Sequence, residues 1–263
     1  MNINNKLTTF AQQELVLSHN DTEREKIKSS LSQLEKKLSD KLGNIQEFIR
    51  FGSFTRNTIL PRNYDSQSDI DLMVVFNTES WKKTPGTYRK NLHDVLSVAY
   101  PNSISKKDFP AVKLELNHIK FDLVPAYCDV SSWSSSKTYY IPDFGDGWRI
   151  TVPNDINTDL SSKNQSYGDN IVRNVIRLCK CWNAGVGYSF ESYEMEKWIL
   201  GRFFYIGDNL YDKFLSVLND MAGSQSGVRQ ALDWIKEYKG TWSRTTDEQK
   251  QFEWLQKLLP GLK

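Results

Sequence analysis

Between residues 21 and 42 the chain reads DTEREKIKSSLSQLEKKLSDKL, with apolar residues at Ile27, Leu31, Leu34, Leu38 and Leu42. Steps of four and three predict an amphipathic helix with a solvated, charged outer face. Asn20 with Glu23 supplies a capping box at its start, and Gly43-Asn44 a stop. The pattern then changes to that of strands: IQEFIRF (45–51) leads into Gly52, and DIDLMVVF (69–76) is apolar on both faces, the mark of a central buried strand. VKLEL (112–116) and IKFDLVPAY (119–127) flank Asn117-His118 and read as a hairpin, since Asn tolerates positive φ.

Residues 129–168, rich in Ser, Asn, Asp, Gly and Pro, read as long loops, a length that is uncommon unless functional. Helical spacing returns at 169–185, 189–207, 210–223, 228–238 and 245–259, the first opening at Asp169 and the last on the box Thr245-x-x-Glu248. The expected fold is therefore α+β. A sheet-bearing core with its N-terminal helix occupies residues 1–165, a helical domain occupies 166–263, and a cleft between them is the expected site.

Composition narrows the function. The chain has 263 residues and is 39% hydrophobic, enough for a substantial core. No apolar run approaches the length of a membrane span, and MNINNKLTTFAQQELVLSHNDTEREK lacks the pattern of a signal peptide, so the expected location is cytoplasmic. Cys128, Cys179 and Cys181 form no CxxC pair, and His19, His93 and His118 are scattered, which argues against a disulfide framework or a zinc site. A net charge of +2 without a basic tract does not suggest an obligate long nucleic-acid partner.

The chemistry concentrates at the strand ends. Residues i and i+2 of a strand face the same way, so Asp69 and Asp71 project together, roughly 6–7 Å apart. Two bare carboxylates there would repel each other and resist desolvation. A divalent cation relieves both problems; hard carboxylate oxygens suit Mg²⁺ or Mn²⁺, and shared carboxylates can hold two such ions. Asp122, the acid of the FDLVPAY strand, supplies a third ligand. Gly52-Ser53, where a strand gives way to a turn, presents backbone N–H groups and a hydroxyl to an anion such as a triphosphate.

Four segments then carry a family resemblance. GSFTRNT (52–58) resembles a GSFxxGT turn, SDIDLMVVF (68–76) an SDxDLxVF strand, and FDLVPAY (121–127) an FDxxPA strand; IRLCKCW (176–182) with SYEME (192–196) resembles helical IRLxKxW and SYxxE segments. In this order they are similar to the polymerase-β-type nucleotidyltransferase superfamily. The finer likeness is to its cGAS/DncV-like branch (CD-NTases) and the related oligoadenylate synthetases.

The resemblance implies a mixed sheet with a long N-terminal helix and a C-terminal helical bundle, bilobed around a central cleft. It implies catalytic, metal-holding Asp69, Asp71 and Asp122, two Mg²⁺ or Mn²⁺ ions, and ATP or another nucleoside triphosphate as substrate. Gly52 and Ser53 would contact the donor phosphates, Lys180 and Ser192 would reach the triphosphate, and Tyr193 would stack on a base. Without the likeness, Lys180 would read as a solvated lysine, and Tyr193 equally as a core residue. The chain departs from the family at Asn57, which stands where the turn has glycine, and it lacks a zinc-binding insertion. The implied function is an enzyme making a cyclic or linear oligonucleotide messenger that acts through a downstream effector in antiphage defence. Nucleotidyl transfer to a small molecule such as an aminoglycoside or to a protein hydroxyl, addition of nucleotides to RNA ends, and a non-catalytic nucleotide sensor are the competing readings.

Overall fold

The structure is a computed structural model that describes residues 2–17, 21–79, 81–168, 170–223, 225–239 and 247–263. The chain opens with α1 (Ile3–Thr9), which runs on into a π-helical turn (Phe10–Glu14), and then α2 (Asp21–Leu42), β1 (Ile45–Phe51), α3 (Gly52–Thr55) and β2 (Asp69–Phe76). Next come α4 (Pro85–Ala99), β3 (Ile104–Asp108), β4 (Ala111–Glu115), β5 (Lys120–Val130), β6 (Lys137–Asp143) and β7 (Gly147–Thr151). Helices follow: α5 (Asn157–Tyr167), α6 (Ile171–Gly185), α7 (Ser192–Gly201), α8 (Leu210–Met221), α9 (Ser226–Tyr238) and α10 (Glu248–Leu258).

The elements divide into two compact units that are not contiguous in sequence. A sheet unit takes Asn20–Arg56 and Gln67–Asp155; a helical unit takes Met1–His19, Asn57–Ser66 and Ile156–Lys263. Where sequence alone suggests one division at 165/166, the chain passes between units at 19/20, 56/57, 66/67 and 155/156.

In the sheet unit the strands run in the order β1-β2-β5-β4-β3, with β6 pairing to β5 and β7 to β6. β2 and β5 are parallel, and every other pair is antiparallel. A parallel pair cannot be closed by a tight turn. The connection here passes through α4, which Thr84 caps through the amide of Thr87 and which Pro85 starts. One sheet face takes Ile70, Leu72, Val74 and Phe76 of β2, all buried, and Phe76 stacks on Tyr88 of α4 at 4.3 Å. The opposite face carries a second apolar cluster that includes Met73, Val75, Val124, Ala126 and Ile141. Helix α2 buries Ile27, Leu31, Leu34 and Leu38 as the periodicity predicts, and packs on β1 and α4. The 112–127 hairpin forms with Glu115 opposite Lys120, and the Leu116 amide donates to the Ile119 carbonyl across Asn117-His118.

The helical unit is built around α6. Its residues from Asn174 through Asn183 are buried without interruption, polar ones included, as in a helix enclosed on all sides. It packs on α5, α7, α8 and the π-helical turn. The three cysteines are free and buried, in keeping with packing residues.

Three expectations need correction. Residues 129–168 are not loops throughout, since they hold β6, β7 and α5. These elements bury too little to show in the pattern: α5 buries only Leu160 and Asn164 among its described residues. The helix expected at 189–207 spans Ser192–Gly201. Lys163 ends it by donating to the carbonyls of Ile199, Leu200 and Arg202, the role of a cationic C-terminal cap. The helix expected from Thr245 begins at Glu248, capped by Asp247 through the amide of Lys250 at 3.0 Å. Asn20, Asp169 and Thr245, to which sequence assigns helix starts, lie outside the described residues, as does His19. No helix among the described residues is long and apolar enough to cross a membrane.

Leu34 is fully buried on the inner face of α2. Leu34→Ala is expected to destabilise the protein by about 2–5 kcal/mol through loss of buried surface and a residual cavity, read from the midpoint of urea denaturation.

Candidate active site

The polar end of the sheet is organised by register. Parallel pairing sets Asp71 opposite Asp122 and Asp69 opposite Lys120. On the far side of β5, Lys113 of β4 stands opposite Asp122 and Glu115 opposite Lys120; Lys106 of β3 follows opposite Lys113. Two cross-strand rows result, Asp71–Asp122–Lys113–Lys106 and Asp69–Lys120–Glu115. Adjacent strands lie about 4.8 Å apart, so Asp71 and Asp122 are held as near neighbours by backbone hydrogen bonds rather than by their own attraction.

Gly52 closes this end. It follows Phe51, which pairs with Asp71, and adopts φ +74°. A Cβ built on it would lie 1.8 Å from Oδ2 of Asp71. Glycine is required twice over, by the backbone conformation and by the carboxylate that stands where a side chain would be. Ser53 follows in the single turn of α3. That turn is fastened from within the sheet unit: the Thr55 hydroxyl donates to Asn154 Oδ1 at 2.7 Å, and Asn154 Nδ2 donates to the Arg50 carbonyl at 3.2 Å.

Asp122 is the electrostatically stressed member. Burial, with the charge of Asp69 added, pushes its carboxyl up to about 6, against the opposing pull of Lys113. Lys113 Nζ lies 3.5 Å from Asp122 Oδ2 and 3.0 Å from Asp108 Oδ2. Asp122 Oδ1 is buried with no hydrogen-bond partner. Among the described residues no three His, Cys, Asp or Glu side chains are gathered tightly enough to ligate an ion as they stand. The donor chemistry nevertheless fits a hard divalent cation: three carboxylates at register positions, one with an unsatisfied buried oxygen and a raised proton affinity, are what a cation would relieve. Asp69, Asp71 and Asp122 are the residues that could hold it.

The helical unit contains the other motif residues. Asn57 adopts φ +55°, so the asparagine in the glycine position of the turn does take the left-handed conformation. Its carbonyl accepts from Nε and Nη2 of buried Arg177 at 3.0 and 2.6 Å. Thr58 donates to Glu196 Oε1 at 2.9 Å, and Lys180 Nζ meets the same oxygen at 2.6 Å. Lys180 is 5% exposed and Glu196 0%, so Lys180 is not a solvated lysine. An ammonium has three N–H donors, and Glu196 engages one of them. Ser192 begins α7, and Tyr193 beside it is 38% exposed with Lys197 over its ring at 5.3 Å, so Tyr193 is not a core residue. Sequence reasoning missed Lys113, Arg177, Thr58 and Glu196. Thr58, Arg177 and Glu196 sit inside the matched segments and could have been found there; Lys113 is visible only through the register.

Residues 1–164 match the model of the SMODS family, the Second Messenger Oligonucleotide or Dinucleotide Synthetase domain. The chain belongs to this family. A relative from Bacillus cereus (strain VD146), described as "Probable cyclic nucleotide synthase IK1_05630", is 30% identical over 190 residues. That match covers 60% of this chain and 56% of the relative, so the chain spans little more than half of that protein's length. Among solved structures, the CD-NTase CdnG of Bradyrhizobium diazoefficiens in complex with GTP superposes with a TM-score of 0.65 at 11% identity, covering 98% of this chain and 90% of that one. CdnC of E. coli MS115-1 with ATP superposes with a TM-score of 0.62 at 17% identity, covering 97% and 96%. DncV, the cyclic AMP-GMP synthase of Vibrio cholerae, with the linear intermediate 5′ pppA(3′,5′)pG, gives 0.62 at 13% identity, covering 99% and 80%. The fold of this SMODS chain is that of the CD-NTases, an α+β fold with a mixed sheet.

Two outcomes follow from this geometry. Across the interval from 3.8 to about 6, the folded chain keeps a proton on Asp122 that the unfolded chain has released. Its contribution therefore makes stability fall as pH rises through that interval and level off above it. In the presence of a chelator at pH 7.5, Asp122→Asn should be more stable than wild type, by at most about 2–3 kcal/mol, and the gain should vanish near pH 4, as read by thermal melts across pH. At the turn, Asn57→Gly should leave the melting temperature within a degree or two, while Asn57→Val should cost about 1–2 kcal/mol for a β-branched residue in the left-handed region.

Proposed function

We propose that this chain is a metal-dependent nucleotidyltransferase that joins nucleoside triphosphates into a cyclic or linear oligonucleotide second messenger. The observation that carries the reading is the register that sets Asp71 beside Asp122, with Asp69 two residues away and the backbone of Gly52 against the Asp71 carboxylate. Membership of a family of second-messenger synthetase domains supports the product class.

In this reading a ribose hydroxyl of one nucleotide attacks the α-phosphate of another. The new O–P bond forms as the bond to the β-phosphate oxygen breaks, and pyrophosphate leaves. Mg²⁺ or Mn²⁺, when bound, supplies charge neutralisation and acidifies the attacking hydroxyl. Asp69, Asp71 and Asp122 hold the ions. Gly52 permits close approach of the turn, and Ser53 donates to the donor phosphates. Ser192 and the remaining N–H directions of Lys180 contact the triphosphate, and exposed Tyr193 stacks on a base. The substrates are ATP or other nucleoside triphosphates, as the GTP and ATP named with the CdnG and CdnC structures suggest. The messenger would act through a downstream effector in antiphage defence, from a cytoplasmic enzyme.

The test is to incubate the purified protein with labelled ATP, GTP, CTP and UTP and Mg²⁺ or Mn²⁺. Phosphatase-resistant oligonucleotide is expected, reduced at least about a thousandfold in Asp69→Ala/Asp71→Ala. Pyrophosphate release only on addition of a small-molecule or protein acceptor would instead assign nucleotidyl modification of that acceptor.

A further inference from the structure

The row Asp71–Asp122–Lys113–Lys106 contains a residue with no role in the chemistry above. Lys113 sits in the middle of β4, between Val112 and Leu114, which are buried on the other face. Its ammonium lies between two carboxylates, 3.0 Å from Asp108 Oδ2 at the end of β3 and 3.5 Å from Asp122 Oδ2 on β5. Asp108 is half exposed, whereas the Asp122 side chain is 16% exposed. The two contacts are therefore unequal in kind: one anchors the lysine at the sheet edge, and the other acts on a carboxylate largely shielded from water.

We propose that Lys113 is a positioning residue for the metal site. It holds Oδ2 of Asp122 on the β4 side, with Asp108 as its anchor, and leaves Oδ1 as the oxygen offered to a cation. The inference rests on the assignment of Asp69, Asp71 and Asp122 as metal ligands and adds a residue to it. Three observations carry it. Asp122 has one oxygen paired and the other buried without any hydrogen-bond partner, an asymmetry that Lys113 creates. The backbone register fixes Lys113 directly opposite Asp122, so the contact does not depend on a mobile loop. Lys113 bridges to Asp108, which limits the rotamers available to its long side chain. Residues that orient a ligating carboxylate in this way characteristically set metal affinity.

The sign of the effect separates this role from simple electrostatics. A cation beside a metal site repels the metal, so if Lys113 acted only through its charge, removing it would tighten binding. If it orients Asp122, removing it weakens binding. The experiment is Mn²⁺ binding to the full chain without nucleotide, followed by the EPR signal of free Mn²⁺, for wild type, Lys113→Met, Lys113→Gln, Lys113→Arg and Lys106→Met. Lys113→Met is expected to weaken Mn²⁺ binding about 10–100-fold, with Lys113→Arg recovering most of the loss. Lys113→Gln, which removes the charge and shortens the side chain while staying polar, should weaken binding in the same direction and serves as the decisive variant if Lys113→Met does not fold. Lys106→Met, a charge removed from the same row but one strand further out, should bind as wild type does. Unchanged or tighter binding in a folded Lys113→Met, or in Lys113→Gln when that is the decisive variant, overturns the positioning role while leaving the metal site intact. Absence of Mn²⁺ binding by wild type overturns the metal site and this inference together.

Discussion

The parallel pairing of β2 with β5 is the constraint on which the rest of the sheet unit depends. It forces Asp71 against Asp122 by backbone hydrogen bonding, and it forces a crossover between the two strands. Two like charges set side by side at a partly buried strand end are unfavourable by themselves. The apolar remainder of both strands compensates, since each runs from its acidic end into a fully buried core. The core thus holds in place a polar arrangement that would not assemble on its own.

The features around that pair can be read as responses to it. Gly52 leaves the space that the Asp71 carboxylate occupies, and Lys113 offsets part of the charge on Asp122. Asn154 and Thr55 hold the turn that carries Ser53. The helical unit handles its own buried charges differently. Glu196, fully buried, is matched by Lys180 and Thr58, a set in which removal of one partner weakens the compensation of the others. Arg177 is satisfied mainly by the carbonyl of Asn57 and the side chain of Asn174, so a buried guanidinium stabilises the left-handed residue within the motif turn.

Legibility in the sequence followed the strength of burial. Helix α2 and strand β2 were readable because their apolar spacing is complete. Helix α5 and strands β6 and β7 were not, because elements that bury two residues or none leave no period to detect. The end of α7 at Gly201 was hidden because it is set by Lys163, which lies far away in sequence. The candidate acids were legible from their placement within apolar strands, and Gly52 from the turn it begins. Asn57 was legible as a departure, and its φ of +55° follows from the tolerance of asparagine for that region.

By itself the sequence determined the residue types and local conformations: two acids on one strand face, a third on another strand, a glycine turn, and an amphipathic helix. These are set by periods of two and 3.6 and by the steric freedom of glycine and asparagine. Only the tertiary structure decided which acids become neighbours, that Lys113 joins them, and that Thr58, Lys180 and Glu196 share one oxygen. Strand register and helix packing are long-range choices made by core burial, and no local pattern encodes which residue of one strand will stand opposite a given residue of another.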